Sequence, residues 1–204
     1  MIPRALLRWS PILALLAGIA ACNGILDIEE RAFDPDLSAA ADPACADYCA
    51  AAMDACQGDL AVYASLESCL GTCRRLPKGK PGDQSGNTVE CRLERAKLAL
   101  ATGEASSCCP GAGPGGEGTC GTNCEGFCSI MVPVCGSDWF KSSAECLAAC
   151  ESVPDNHDYS ILVPYEDSIQ CRLYHVTSAT VATEHCPHAA GVLKCVYQDA
   201  GGAP

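Results

Sequence analysis

The segment PACADYCAAAMDACQG, residues 43–58, decides the fold that we expect for this chain. Its three cysteines, Cys45, Cys49 and Cys56, are spaced i, i+4 and i+11, which places them on one face of an α-helix. A second segment, GTNCEGFCSIMVPVCG at residues 121–136, has the same cysteine spacing and also ends on glycine. The two segments therefore predict two helices that each present their sulfurs on one side.

The remaining cysteines extend this match into a tandem repeat. Each copy contains a CxxxC pair, a third cysteine after six residues, a second CxxxC pair and three further cysteines, and the tripeptide CRL begins at Cys91 and at Cys171. We therefore divide the chain into a first repeat, residues 44–120, and a second repeat, residues 121–195. The cysteines expected to form disulfides are Cys45, Cys49, Cys56, Cys69, Cys73, Cys91, Cys109 and Cys120 in the first repeat, and Cys124, Cys128, Cys135, Cys146, Cys150, Cys171, Cys186 and Cys195 in the second.

Composition agrees with a fold that depends on disulfides. Eighteen cysteines among 204 residues are typical of exported proteins in oxidising compartments, and aromatic residues at 5% predict a thin apolar core. We expect a mostly α fold of two tandem disulfide-stapled modules, each with about three short helices. The second helices should follow Ser65 and Ser142, and the third helices should begin at capping boxes that start at Asn87 and Asp167.

The two CxxxC pairs of each repeat predict a crossed pattern of bridges. Two antiparallel helices with cysteines one turn apart can be bridged twice only when the pairs cross. This resembles the twin CxxxC helical hairpins of small intermembrane-space chaperones, but only over the hairpin, so the resemblance implies no chaperone activity. The crossed pairs are Cys45 with Cys73, Cys49 with Cys69, Cys124 with Cys150, and Cys128 with Cys146. Elimination then pairs Cys56 with Cys91 and Cys109 with Cys120.

One cysteine has no counterpart in the repeat alignment. Seventeen cysteines follow Cys22, an odd number, and His185 stands at the position that aligns with Cys108. We expect Cys108 to be a free thiol. The alternatives are a bridge from Cys108 to Cys120 or to Cys195, and the bridge to Cys195 would couple the two repeats covalently.

The first 22 residues are typical of an export signal. Arg4 and Arg8 precede the apolar run WSPILALLAGIAA, which is short for a membrane span and ends just before Cys22. The residues Ile-Ala-Ala-Cys at 19–22 resemble the lipobox of bacterial lipoproteins. That resemblance implies that residues 1–21 are a lipoprotein signal peptide and that Cys22 is lipidated, with acyl chains such as palmitate. The alternative is an ordinary signal peptide cleaved nearby. Asn23 follows the cysteine instead of a retention Asp, which favours the outer membrane.

Residues 22–43 read as an acidic, flexible tether, and residues 196–204 as a tail. The chain carries 25 acidic against 13 basic side chains, a formal net charge of −12. Such a surface repels nucleic acid and anionic lipid. The expected partners are the lipid bilayer, through the acyl anchor on Cys22, and an unidentified protein or other component of the cell envelope.

The chain has no enzyme motif in a sequence context that would support catalysis. Residues 111–116, GAGPGG, match GxGxxG, but no predicted strand precedes them and cysteines bracket them. The chain has no CxxC, P-loop, HExxH or nucleophile-elbow motif. We therefore predict a non-enzymatic binding or structural module at the cell surface or in the periplasm, without a required cofactor.

Three of the four histidines, His175, His185 and His188, lie close together in the second repeat. Three imidazoles on one scaffold can bind Zn²⁺ or Cu²⁺, which makes a metal-binding periplasmic protein the alternative function. The pattern CRxxH…HCPHAxG resembles repeats of uncharacterised cysteine-rich bacterial lipoproteins. That resemblance implies no activity. The other interpretation, which we favour, is that these histidines cap helix ends and hydrogen-bond backbone carbonyls.

Overall fold

The computed structural model describes residues 42–162, 167–193 and 195. Outside the described residues lie the predicted signal peptide of residues 1–21, Cys22, the tether up to residue 41 and the tail of residues 196–204. The described residues belong to one compact unit. None of their helices is long and apolar enough to cross a membrane.

The described residues form eight α-helices and no strands, which confirms the mostly α fold. The helices are α1 Pro43–Ala55, α2 Leu66–Cys73, α3 Val89–Thr102, α4 Ala105–Ala112, α5 Asn123–Cys135, α6 Ser143–Cys150, α7 Ile169–Ala179 and α8 Cys186–Ala189. Each repeat thus has a fourth helix that the sequence did not predict. In α8, Pro187 occupies the first turn, where the missing backbone N–H of proline costs no hydrogen bond.

The helix starts agree with the predicted caps in part. Ser65 and Ser142 cap α2 and α6, each accepting a hydrogen bond from a backbone N–H three residues on. The predicted starts of the third helices are one residue early, because Thr88 and Ser168 are the caps.

Both residues that were expected to cap the third helices are engaged by the arginine of the CRL tripeptide instead. Arg92 donates to Asn87 Oδ1 at 2.8 Å, and Arg172 pairs with both carboxylate oxygens of Asp167 at 2.9 and 3.0 Å. Side chains that accept from an arginine five residues downstream are not available to cap the helix. The hydroxyl of the next residue takes that role.

All sixteen of the cysteines that were expected to pair are bridged in the structure, and the four crossed bridges are present as predicted. The pairing by elimination is wrong, because Cys56 bonds to Cys109 and Cys91 bonds to Cys120. The second repeat has the equivalent bridges, Cys135–Cys186 and Cys171–Cys195. The two repeats therefore share one pattern of bridges.

Packing explains why the elimination failed. The 3₁₀ turn Gly58–Leu60 directly after Cys56 packs on α4, which carries Cys109. Cys91 lies in the first turn of α3, where its sulfur is 3.7 Å from the carbonyl oxygen of Thr119, next to Cys120. Each sulfur therefore bonds to the segment that the helix packing places beside it.

The buried core is continuous across the two repeats. In the first repeat the hydroxyl of Tyr48 lies 2.7 Å from that of Tyr63 and donates to the carbonyl oxygen of Ala112, so α1 is tied to α4. Between repeats, Thr180 lies against Gly71 of α2, where a Cβ would come within 2.4 Å of the threonine hydroxyl. Glycine at this position thus permits the close approach of α2 and the end of α7.

The glycine-rich residues 111–116 are buried and run from the end of α4 into the loop that follows it. The guanidinium of Arg92, which is fully buried, donates to the carbonyl oxygens of Gly113 and Pro114 at 2.9 Å each. A Cβ on Gly115 would lie 2.0 Å from the Asn123 side chain. The loop therefore fills the space between the CRL arginine of the first repeat and the start of the second, and its glycines serve close packing.

Candidate functional site

The structure brings the three predicted histidines together at one end of α7, and we call this group the histidine cluster. His175 is on the last turns of α7, His185 ends the 3₁₀ turn Thr183–His185, and His188 is on α8. The bridge from Cys186 to Cys135 at the end of α5 fixes the segment between the last two histidines. Covalent cross-linking, as expected from the sequence, thus positions the rings.

Within the histidine cluster, His175 is central and buried. Its Nδ1 lies 3.0 Å from Nδ1 of His185, and its ring stacks on that of His188 with centroids 4.7 Å apart and planes 18° apart. Tyr174 packs edge-on against the same ring, with centroids 5.2 Å apart. A hydrogen bond between two Nδ1 atoms requires one of them to be protonated and the other to offer a lone pair.

The surroundings of His185 favour its neutral form. Burial lowers its pKa from the ordinary value of 6.5, the carboxylate of Glu184 opposes this shift, and the nearby His188 adds to it. Because the folded pKa of His185 is lowered, this residue costs no stability above about pH 6.5; its cost grows as the pH falls below 6.5 and is complete below the folded value. A single ring proton on one of the two Nδ1 atoms satisfies the contact between His175 and His185.

The stacked ring limits what the histidine cluster can bind in this conformation. Ring nitrogens bind a metal in the plane of the imidazole, and the nearly parallel rings of His175 and His188 do not aim their lone pairs at a common point. Within the described residues, no set of three nitrogens from this cluster lies within 4.8 Å of one another. The rings in this arrangement do not form a three-histidine metal site. Such a site therefore stays a prediction.

The aligned positions of the first repeat also converge, with different chemistry. Arg95, aligned with His175, donates to the carbonyl oxygen of Ser107 at 3.0 Å, and a Cβ on Gly111 would lie 3.5 Å from its Nε. Cys108, aligned with His185, is buried and is the only unbridged cysteine among the described residues. The same place in the fold therefore holds an arginine and a thiol in one repeat and imidazoles in the other.

A second polar cluster, which the sequence did not predict, lies at the boundary of the two repeats, and we call it the acidic cleft. It is an open depression of about 420 Å³ whose lining includes Glu117, Asn123, Asp155, His157 and Asp158. Its members come from three separate stretches of the chain. No motif marks them, so only the fold could place them together.

Hydrogen bonds within the acidic cleft are structural. Asn123 donates to both carboxylate oxygens of Asp155 at 3.1 and 3.2 Å, and Gln170 of α7 donates to the same carboxylate at 2.6 Å. Gln170 also donates to the carbonyl oxygen of His157. Asp155 thereby holds its loop against α5 and α7, and its carboxylate oxygens are occupied by these amide donors.

Glu117 is a partly buried carboxyl group of the acidic cleft, and its pKa is strongly shifted. Burial raises its pKa to about 7, the negative charges of Asp155 and Asp158 act in the same direction, and its bonds to Asn123 and to the backbone N–H of Tyr159 oppose the shift. Because the folded pKa is raised, ionised Glu117 destabilises the fold increasingly as the pH rises from about 4.5 through about 7.

We predict that Glu117→Gln removes this pH dependence. The amide oxygen can still accept from Tyr159, so the variant should gain stability relative to the wild type between about pH 5 and about pH 8. Urea unfolding at the two pH values measures the difference. Glu151→Gln on the exposed surface is the control and should show no such trend. Parallel stability curves for Glu117→Gln and the wild type would contradict the prediction.

The fold and its sites define a disulfide-stapled helical repeat protein. Residues 27–125 match the sequence model of a family described as the BfoA family C-terminal domain. The match covers just under half of the chain, from within the tether through the first repeat to the first residues of the second. No curated protein and no solved structure matches the chain. The second repeat after residue 125, with the histidine cluster, lies beyond the matched residues.

Proposed function

We propose that this protein is a non-enzymatic structural or binding module that a lipid on Cys22 anchors to the bacterial cell envelope, at the outer membrane. The observation that carries the proposal is the repetition of one four-bridge pattern in both repeats, which employs sixteen cysteines to hold a small helical scaffold. Such a density of disulfides suits an oxidising compartment outside the cytoplasm.

The polar groups of the described residues support a scaffold role. Arg92, Tyr48 and Tyr63 are fully buried and bond to backbone or to one another, and Asp155 is engaged by amide donors. The first three are enclosed by the fold, and the carboxylate of Asp155, which lines the acidic cleft, already accepts hydrogen bonds from Asn123 and Gln170. A protein of this kind acts through its surface, whose acidic charge repels nucleic acid.

The anchor is tested by replacing its predicted attachment site. Cys22→Ser should move the protein from the membrane fraction to the soluble fraction and abolish labelling by a palmitate analogue, because several acyl chains are needed for firm anchoring. Cys108→Ser is the matched control and should leave both readouts unchanged, since that thiol is buried within the fold.

Density-gradient separation of the two membranes completes the test, and the wild-type protein should sediment with the outer membrane. A Cys22→Ser protein that stays with membranes and is cleaved at the same peptide bond would contradict the lipid anchor. Wild-type protein in the inner membrane would contradict the outer-membrane assignment alone.

A further inference from the structure

One bridge of the second repeat has an imidazole beside it. His175 lies one turn after Cys171 on α7, so both side chains are on the same face of the helix. A ring nitrogen of His175 and the two sulfurs of the Cys171–Cys195 bridge all lie within 4.8 Å of one another, and all three side chains are buried. No other trio of histidine, cysteine or acidic side chains among the described residues is grouped as closely.

The imidazole is held in place by its neighbours. His185 contacts His175 through the two Nδ1 atoms at 3.0 Å, and the Cys135–Cys186 bridge fixes the segment that carries His185. Metal-binding histidines ordinarily have such a partner on the ring, which sets the orientation and the tautomer. His175 therefore has the position of a ligand and a neighbour that restrains its ring.

The bridge itself lies beside exposed chain. Val192 and Leu193, shortly before Cys195, are 67% and 48% exposed, although the sulfurs are buried. Cys195 is the last described cysteine, and this bridge is its one covalent link to the helices besides the main chain. Reduction of this bridge alone would leave the other seven bridges of the described residues in place.

We propose that Cys171, Cys195 and His175 form a redox-gated Zn²⁺ site, closed while the bridge is intact and opened when a dithiol reduces it. Two thiolates and one imidazole are a ligand set that Zn²⁺ prefers, with water in the fourth position. The site is independent of the acyl anchor, and it differs from the three-histidine site in its two sulfur ligands. It uses only His175 from the histidine cluster.

The reaction balances with the dithiol as the only co-reactant. A thiolate of the dithiol attacks one sulfur of the bridge, the S–S bond breaks, and a mixed disulfide forms. The second thiol of the reductant then displaces the protein sulfur, which leaves two protein thiols and an oxidised, disulfide-bonded reductant. Zn²⁺ binding forms two Zn–S bonds and one Zn–N bond and releases the two thiol protons.

The first repeat provides an internal control. Its Cys91–Cys120 bridge is equivalent to Cys171–Cys195, but Arg95 stands where the second repeat has His175. A guanidinium stays protonated and cannot bind Zn²⁺. Opening the first-repeat bridge should therefore create no comparable site.

The experiment uses the full mature chain carrying Cys22→Ser. Limited treatment with a dithiol, alkylation of a sample and peptide mass analysis identify which bridges have opened, and the reductant is removed under nitrogen. Co²⁺ is then added as the probe, because thiolate coordination produces a charge-transfer absorption band, and Zn²⁺ is used to displace it. The variants are His175→Gln, which removes the imidazole, and Arg95→His, which installs one in the first repeat.

We expect no band in the oxidised protein and one bound Co²⁺ per chain once Cys171–Cys195 opens. His175→Gln should weaken binding by about 100-fold or more, and Arg95→His should add a second Co²⁺ when Cys91–Cys120 opens. The Arg95→His arm keeps the test decisive if His175→Gln fails to fold.

Three results would overturn the proposal. The first is equal binding by oxidised and reduced protein. The second is binding that neither variant changes. The third is a Cys171–Cys195 bridge that opens only when the helices unfold, as followed by circular dichroism. Because the protein used has no acyl anchor, none of these results bears on the lipid attachment.

Discussion

Replacing Arg92 with Met should lower the free energy of unfolding by about 3 to 5 kcal/mol, a large effect for one side chain. The guanidinium is fully buried and donates to three backbone carbonyl oxygens, those of Thr88, Gly113 and Pro114, and to Asn87. Each buried acceptor left without a donor costs about 1 to 3 kcal/mol. Burial of the charged guanidinium is itself unfavourable and lowers the pKa of Arg92. The methionine avoids this desolvation penalty, which offsets part of the cost.

The second repeat contains a matched control for this substitution. Arg172 occupies the same place in the CRL tripeptide, but its partner is Asp167, whose side chain is 56% exposed. Arg172→Met should therefore cost about 1 kcal/mol or less, as surface ion pairs do. Urea unfolding with all bridges intact, followed by circular dichroism, measures both variants. Equal losses would mean that the buried carbonyl bonds of Arg92 contribute little.

The crossed bridges could be predicted because their geometry is local. A CxxxC pair places two sulfurs one turn apart on one helix, and only the crossed pairing joins two such helices in an antiparallel hairpin. The partner of Cys56 depends instead on which segment packs beside the end of α1. That segment is α4, 53 residues along the chain, and nothing in the spacing of the cysteines indicates it.

The two polar sites also differ in whether local spacing or tertiary packing brings their residues together. His175, His185 and His188 fall within fourteen residues flanked by bridged cysteines, so the sequence predicts that they meet. Glu117 contacts the backbone of Tyr159 from 42 residues away, and this contact exists only because the second repeat folds back on the end of the first. The stacking of His188 on His175 likewise depends on ring orientations that a spacing does not contain.

The helix caps show where local rules meet tertiary structure. Asn87 and Asp167 have the side chains and spacing of caps, and in an isolated helix they would be expected to serve as such. In the fold each one binds an arginine, and the adjacent Thr88 and Ser168 become the caps. The helix was therefore predicted correctly, and its first residue was displaced by a side-chain interaction.

Removing the Cys56–Cys109 bridge should destabilise the protein more than removing Cys49–Cys69. The first closes a loop of 53 residues and the second a loop of 20. In the chain-entropy model the longer loop corresponds to about 4 kcal/mol. The Cys45–Cys73 bridge already joins the same two helices as Cys49–Cys69, so little freedom returns when the inner bridge is lost, and about 2 to 3 kcal/mol is expected.

The comparison needs paired substitutions, Cys56→Ala with Cys109→Ala and Cys49→Ala with Cys69→Ala. Replacing Cys109 alone would leave Cys56 free to bond with the neighbouring thiol of Cys108, which has no bridge in the native fold. Urea unfolding under non-reducing conditions gives the two free energies. Cys135→Ala with Cys186→Ala, whose loop has 51 residues, should match the Cys56–Cys109 loss, since chain entropy depends on loop length and not on which repeat is cut. If the short-loop pair proved the more costly, packing of the sulfurs in the core would outweigh the entropy of the unfolded chain as the source of stability.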